Sequence, residues 1–427
     1  MPHIGLLTLC ASGHLNPMTS LGNRLASRGH TVTLFGEPDC EPHCRAAGIN
    51  FVPVIPGPGK TANEMLENLG SMSGVAGLLY TIKVLTESIE DDLHDFPPVI
   101  AGAGVDLLLV DHAVFGGGTI ADSLGIPFVT ICNAFLDLCQ EDPRRPFEAD
   151  GAAYATSALG RIRVRIVHTL AYYLVKMPAL LSINNFRKTH GLPILKEVPR
   201  VIFSKLAIIT QQSPLFDFPS SVSPPPHAYF CGPFTSQATR KTISTPFPWD
   251  RLDGRPLIYA SLGTVQNRLK STFQTIATAC STLAVQLVIS IGRDEINDFD
   301  GVSFDGDPVV VRFAPQLELL PKCTAMITHA GMNSAMECLA AGIPVVAIPV
   351  TNDQPGVAAR LGWTGCGKVV PVGSVTVEKI RSAVKDVVVE KSYRENALKM
   401  RDDIEKAGGV EKAAEAVEKV LNDLSIA

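Results

Sequence analysis

The chain has 427 residues, of which 46 % are hydrophobic and 19 % charged. That length allows two or three domains with a sizeable core, and that balance excludes a disordered or collagen-like chain. The 37 basic residues against 42 acidic ones give a formal charge of −5, without the basic surplus of a nucleic-acid binder. From the N-terminus, Ile4–Leu9 is an apolar run of strand length, followed by a loop over Ala11–Pro17. Apolar residues then recur at Met18, Leu21 and Leu25, which predicts a helix over Met18–Arg28 closed by Gly29. Thr31–Phe35 predicts a strand, Glu41–Ala47 a helix ending at Gly48, and Phe51–Val54 another strand. Asp106–Val110 (strand), Thr119–Leu124 (helix) and Phe128–Ile131 (strand) continue the alternation. Strands this apolar, separated by helices, predict a parallel sheet covered on both faces.

Residues 214–250 break the pattern with Ser-, Pro- and Thr-rich segments that suit a linker. Strands resume at Leu257–Ala260, Leu287–Ile291, Val309–Arg312, Ala325–Thr328 and Val345–Ile348, with helices between. Tyr393–Leu424 predicts one long, solvated terminal helix. The expected class is α/β: two Rossmann-like units with parallel sheets facing across a cleft, whose strand-end loops bind ligands. The borders drawn are 1–235, a linker 236–253, 254–400, and a helix 401–427 packing back on the first unit.

Mean hydropathy is +0.20, which fits buried parallel strands or a membrane habit. The membrane habit fits less well: the longest apolar stretch, 166–181, is interrupted by His168, Lys176 and Pro178. The first residues lack a basic segment and a small-residue cleavage site, so no signal peptide is expected. Ten scattered cysteines with no Cys-X-X-Cys suit buried thiols, and a cytoplasmic location is expected.

Residues 312–361 carry the most chemistry. A strand ends at Thr328, and the loop His329-Ala330-Gly331-Met332 leads into Asn333-Ser334 and a helix over Ala335–Ala341. Backbone N–H groups of a first helical turn form an anion site. Gly331 permits close approach, and His329, Asn333 and Ser334 add donors, a set that suits a diphosphate. Glu337 lies a turn further on, where a carboxylate accepts from ribose hydroxyls. Asp353-Gln354, after the next strand, reaches the same edge as an acid and an amide for sugar hydroxyls.

This segment resembles the donor-binding signature of the UDP-glycosyltransferases that act on small lipophilic acceptors, the GT-B family. Gly13-His14-Leu15-Asn16-Pro17, Cys231-Gly232-Pro233-Phe234 and the opening Leu257–Thr264 extend the similarity over nearly the whole chain. The wording around Tyr259–Thr264 and Asp353–Arg360 is similar to the bacterial zeaxanthin glucosyltransferase branch and its relatives, which include bacterial-like enzymes of plant-feeding mites. The resemblance implies that Phe313 stacks on uracil and that Ala314 and Gln316 meet base and ribose. It implies Glu337 on the ribose, Ser290 near the nucleoside, and His329, Asn333, Ser334 and Thr264 on the diphosphate. Gly13, Gly331 and Met332 count among the donor-binding positions. Asp353 and Gln354 would hold the hexose, with Gln at 354 favouring glucose.

His14 is the candidate base and Asp111 its orienter. A phenol has a pKa of about 10, so an acceptor hydroxyl needs a positioned base. On pattern alone a lone histidine in a Gly-His loop is more often structural, but Asp111, ending a neighbouring strand, and the resemblance reverse that in favour of the dyad. Direct displacement would invert the anomeric centre. The charge leaving would be met by the helix N-terminus and His329, so no metal and no cofactor are expected. The expected function is transfer of glucose from UDP-glucose to a flavonoid or other phenolic hydroxyl, as in detoxification, by a monomer. Carotenoid, macrolide or sterol acceptors are the alternative; a UDP-sugar epimerase or a silent nucleotide-sugar-binding partner ranks below.

Other signals are weaker. Asp305-Gly306-Asp307 suits a turn better than a metal site, and Gly116-Gly117-Gly118 suits close helix–strand packing better than phosphate binding. Cys40, His43 and Cys44 have metal-like spacing without a second ligand pair, so a helix start is expected. Arg161, Arg163 and Arg165 precede Tyr172-Tyr173 in a segment expected to cover the acceptor pocket, with a membrane-facing surface as the alternative.

Overall fold

The computed structural model describes residues 1–55, 74–196, 203–236, 246–263, 270–292 and 301–426. The first sheet has seven strands: β1 (His3–Leu7), β2 (Thr31–Gly36), β3 (Asn50–Pro53), β4 (Leu107–Asp111), β5 (Phe128–Cys132), β6 (Ile208–Thr210) and β7 (Ala228–Phe230). Their order is β3-β2-β1-β4-β5-β6-β7, and every pairing is parallel. The second sheet holds β8 (Leu257–Ser261), β9 (Gln286–Ser290), β10 (Val309–Val311), β11 (Ala325–Thr328), β12 (Val345–Ala347) and β13 (Gly367–Val369). It runs β10-β9-β8-β11-β12-β13, again all parallel.

The continuous apolar strands follow from burial on two faces. In β4, Leu107 and Leu109 enter one core and Leu108 and Val110 the other. The second sheet is likewise covered on both sides, and Phe135 and Phe216 from the first half join one of its two cores. The expected α/β class with two parallel sheets is the one observed.

Several expectations need correction. The stretch Ala11–Pro17 is helix from Ser12 onward, within Ser12–Ser27. Pro17 lacks only the N–H that would have met the Gly13 carbonyl, and a partner from the second half takes its place, as described below. The apparent linker over 214–250 contains β7, a three-residue edge strand following three prolines. The terminal helix is two helices, Lys391–Ala407 and Gly409–Ile426, broken at Gly408 (φ +89°) and Gly409 (φ +58°). The second is not solvated: Ala413, Ala414, Val417 and Val420 pack in the core beneath Ser12–Ser27. Arg28 pairs with Glu418 at 2.7 Å and Arg24 with Glu411 at 2.6 Å along the same seam.

The bland readings of three weak signals hold. A Cβ on Gly117 would lie 2.3 Å from Val110 Cγ1, so the glycine run lets helix Gly117–Leu124 press on β4. Asp305-Gly306 is a turn, with Gly306 at φ +80° and Asp305 accepting from Thr278 Oγ1 at 2.6 Å. Cys40 and Cys44 are buried around the start of helix Glu41–Ala47. All ten cysteines are free and buried.

Candidate active site

β1 and β4 are neighbours, with Leu7 opposite Val110, so whatever follows them meets at one sheet edge. β4 ends on Asp111, and the chain after β1 turns into the helix whose first turn is Ser12, Gly13 and His14. His14 Nδ1 lies 2.7 Å from Asp111 Oδ2. The Asp111 side chain is wholly buried, and it also accepts from Thr8 Oγ1 (2.8 Å), Asn133 Nδ2 (3.0 Å) and the Ala113 N–H (3.0 Å). Burial alone would raise this carboxyl, but the imidazoles of His14 and of His112, whose Nδ1 lies 3.2 Å from Oδ1, carry it well below the ordinary carboxylate range. Burial likewise opposes a charged imidazole, yet the Asp111 carboxylate, with Asp353 beyond it, raises His14 above its ordinary value. In the neutral ring Nδ1–H donates to Asp111, and Nε2 carries the lone pair that can accept a proton.

The second sheet supplies the facing loops. After β11, Ala330 adopts φ +64°, a left-handed conformation costing about 1 kcal/mol or more for a residue with a Cβ. Gly331 then starts a helix, Met332–Ala340, three residues earlier than the spacing predicts. No side chain caps its first turn. The His329 ring lies between two glycines. A Cβ on Gly263 would sit 2.7 Å from Cε1, and one on Gly331 2.6 Å from Nε2. Burial pushes the His329 pKa down to about 4, so the ring is neutral and offers a hydrogen bond rather than a positive charge.

Asn333 reaches across to the first half. Its Nδ2 donates to the Gly13 carbonyl, and its Oδ1 accepts from Gln211 Nε2 at 3.0 Å. Gln316, Ser334 and Glu337 form one cluster: Gln316 Nε2 donates to Glu337 Oε2 (2.6 Å) and approaches Ser334 Oγ (3.4 Å). Tyr259 donates to Gln316 Oε1 at 3.3 Å. Phe313 and Ala314 are half-buried between β10 and Gln316. Ser290 ends β9, buried, its hydroxyl 3.4 Å from the Arg312 carbonyl. Asp353 Oδ2 accepts the Phe135 N–H at 3.0 Å. Burial raises the Asp353 carboxyl, while that N–H and the nearby His14 pull it back. Gln354 Oε1 accepts from the Val350 and Thr351 N–H groups, so the acceptor end of this amide holds the preceding loop. Thr264 lies outside the described residues.

Sequence reasoning missed the residues that join the halves. Gln211 follows the three-residue β6, too short a run to flag, and its Nε2 also donates to the Asn133 carbonyl. A buried charge cluster lies behind Asp353. Arg360 Nε donates to Asp217 Oδ1 (2.6 Å) and its Nη2 to Asp137 Oδ2 (3.3 Å). Arg145 bridges the same two carboxylates. The Arg360 guanidinium also lies 4.0 Å from the Phe135 ring centre and 4.3 Å from that of Phe218. A Cβ on Gly356 would sit 2.3 Å from the Glu148 carbonyl oxygen, so helix Gln354–Trp363 is docked directly on the first half.

Residues 206–417 match the family described as UDP-glucoronosyl and UDP-glucosyl transferase. A zeaxanthin glucosyltransferase from Pseudescherichia vulneris is 28 % identical, over 99 % of this chain and 98 % of its own. The 4′-demethylrebeccamycin synthase of Lentzea aerocolonigenes is 26 % identical, over 96 % and 97 %. Among solved structures, the kitacinnamycin glycosyltransferase superposes with a TM-score of 0.75 at 20 % identity, covering 99 % of this chain and all of that one. The calicheamicin glycosyltransferase CalG4 gives 0.73 at 20 %, covering 99 % of both. Two parallel Rossmann-like sheets, a glycosyltransferase match across the second half and full-length relatives of one kind make the chain a UDP-glycosyltransferase of the GT-B fold.

Proposed function

We propose that this enzyme moves a hexose, glucose before others, from a UDP-sugar to a hydroxyl of a small lipophilic acceptor, with inversion and with His14 as base. The observation that carries this reading is the 2.7 Å contact between the half-buried His14 and the fully buried Asp111, at an edge where Asp353 and Asn333 arrive from the other half. The acceptor proton passes to His14 Nε2 as the acceptor oxygen bonds to the anomeric carbon. The bond from that carbon to the diphosphate breaks from the opposite side, and UDP leaves with the electron pair. Asp111 holds the ring's tautomer and meets the positive charge that develops there, a contribution of about 10²–10⁴ in rate for general base catalysis.

On the donor side, the uncapped N–H groups after Gly331, with Asn333, Ser334 and the neutral His329, are a fitting set of donors for a leaving diphosphate. Gln316 and Glu337 suit the ribose, Phe313, Ala314 and Ser290 the nucleoside, and Asp353 and Gln354 the hexose. Because protein donors suffice for this charge, turnover is expected to need no added divalent ion, and chelator in the assay should leave the rate within about twofold. A large loss restored by magnesium or manganese would overturn that part of the reading.

Flavonoid and other phenolic acceptors are favoured for their acidic hydroxyls. A carotenoid or macrolide acceptor is the second reading, supported by relatives named for zeaxanthin and for demethyllactenocin. Mass spectrometry of UDP-glucose, UDP-galactose and UDP-glucuronate against flavonols, simple phenols, carotenoids and macrolides separates these readings. A conjugate heavier by one hexose supports transfer. A changed sugar nucleotide without acceptor would indicate an epimerase instead.

A further inference from the structure

Helix Ala158–Ala171 continues through a wide turn, Tyr172–Lys176, into helix Met177–Thr189. The 32 residues from Ala158 to Thr189 are long and apolar enough, by length and composition, to cross a membrane. Packing argues against crossing. Ile183 is in the first-half core, and the buried Arg187 donates to Thr119 and pairs with Asp122 at 2.7 Å. Val164 and Ala171 mark the side of the first helix that faces the protein. On the opposite side Leu159, Ile162, Ile166, Leu170, Tyr173 and Leu174 form a stripe at helical spacing, and all six are exposed, from 48 % to 80 %. Amphipathic helices of folded proteins ordinarily turn that face inward, so a stripe this long facing out marks an interaction surface.

Charge identifies what it meets. Between residues 151 and 196 there are seven lysines and arginines and no acidic residue, in a chain whose net charge is −5. Arg163 pairs with Asp150 and Arg187 with Asp122, while Arg161, Arg165 and Lys188 are exposed. A two-fold contact between copies of this chain would set the arginine row against itself with no carboxylate from this segment to answer it. An anionic lipid surface answers both features, taking the apolar stripe at the headgroup boundary and the guanidinium groups at the phosphates.

We infer that the outer face of helix Ala158–Ala171 is a peripheral docking surface for anionic bilayers. The helix lies along the bilayer plane while the sheets remain in water. The surface is apart from the residues assigned to transfer, so the inference stands or falls separately from the assignment of His14.

The test is co-sedimentation of the full chain with vesicles of phosphatidylcholine alone or mixed with phosphatidylglycerol. Binding to the mixed vesicles is expected, weak on phosphatidylcholine and falling as salt rises. Arg161→Gln and Arg165→Gln should each weaken it about fivefold. Ile166→Asp with Leu170→Asp should abolish it while glycosylation of a water-soluble acceptor keeps its wild-type rate, which also shows that the variant is folded. Equal pelleting of wild type and the double aspartate variant, or none with anionic vesicles, would overturn the inference. So would a lipid-free dimer that the aspartates dissociate, since a second copy would then cover the stripe.

Discussion

Asn333 donates to the carbonyl of Gly13, a carbonyl that Pro17 leaves without its helical N–H partner. The proline four residues after Gly13 thus opens one acceptor in the first turn of helix Ser12–Ser27, one residue before His14. A side chain from the helix Met332–Ala340 fills it. The candidate base and the candidate diphosphate site are tied through one amide, whose other end accepts from Gln211.

Replacing that amide should loosen the whole arrangement. Asn333→Ala removes two hydrogen bonds, each worth about 1 kcal/mol net. Unfolding in urea should show a loss of roughly 1–3 kcal/mol, and KM for the UDP-sugar should rise more than KM for the acceptor. Unchanged stability with equal effects on both KM values would mean that the tie does not hold the halves in register.

The pH–rate profile follows from the direction of the His14 shift. The base must be neutral, so kcat should climb as pH rises through a His14 pKa held above its ordinary value by Asp111. Asp111→Asn removes the carboxylate that favours imidazolium, so the acid limb should move to lower pH. The plateau should fall as well, because the tautomer is no longer fixed. His329, neutral with a pKa of about 4, should add no ionisation near neutral pH. An acid limb unmoved in Asp111→Asn would disconnect it from this pair.

The cluster behind Asp353 gives a stability prediction. Arg360 is fully buried between Asp217 and Asp137. Arg360→Met should destabilise by about 3–5 kcal/mol, because it strands buried carboxylates that Arg145 alone must neutralise. Arg360→Lys keeps the charge but loses the two-carboxylate geometry and should recover only part. Chemical denaturation of the three proteins checks this order.

Gly331 tests the backing of the diphosphate site. A methyl group there meets His329 Nε2 at 2.6 Å, so Gly331→Ala should shift the ring or the helix start. Isothermal titration should show UDP binding weakened by roughly 1–3 kcal/mol, about 5- to 150-fold. Wild-type affinity would show that the ring yields without disturbing the N–H groups.

Where one element's chemistry suffices, the sequence is readable. Ala325–Thr328 is bounded to the residue, because three apolar residues and a β-branched threonine, all buried in a parallel sheet, read as a strand. The turn at His329–Gly331 is legible through its glycine, although the helix that follows begins at Met332, earlier than the spacing suggests. What crosses between halves was not legible. Asn333 reads as a ligand donor and also serves as a tie, and nothing in a linear chain pairs Arg360 with Asp217, 143 residues earlier. Pro17 looks like a helix boundary because its effect on the Gly13 carbonyl is compensated from a distant segment. The stripe on Ala158–Ala171 has a helical period visible in sequence, but periodicity gives no direction, and only packing shows that it faces out.

The most direct measurement is single-turnover transfer by His14→Ala with UDP-glucose and a phenolic acceptor, alongside the Kd for UDP. Loss of about 10²–10⁴ in rate with UDP affinity unchanged is expected for a base that touches only the acceptor proton. A near-wild-type rate, or a loss of UDP binding that accounts for the slower reaction, would contradict His14 as the group that activates the acceptor.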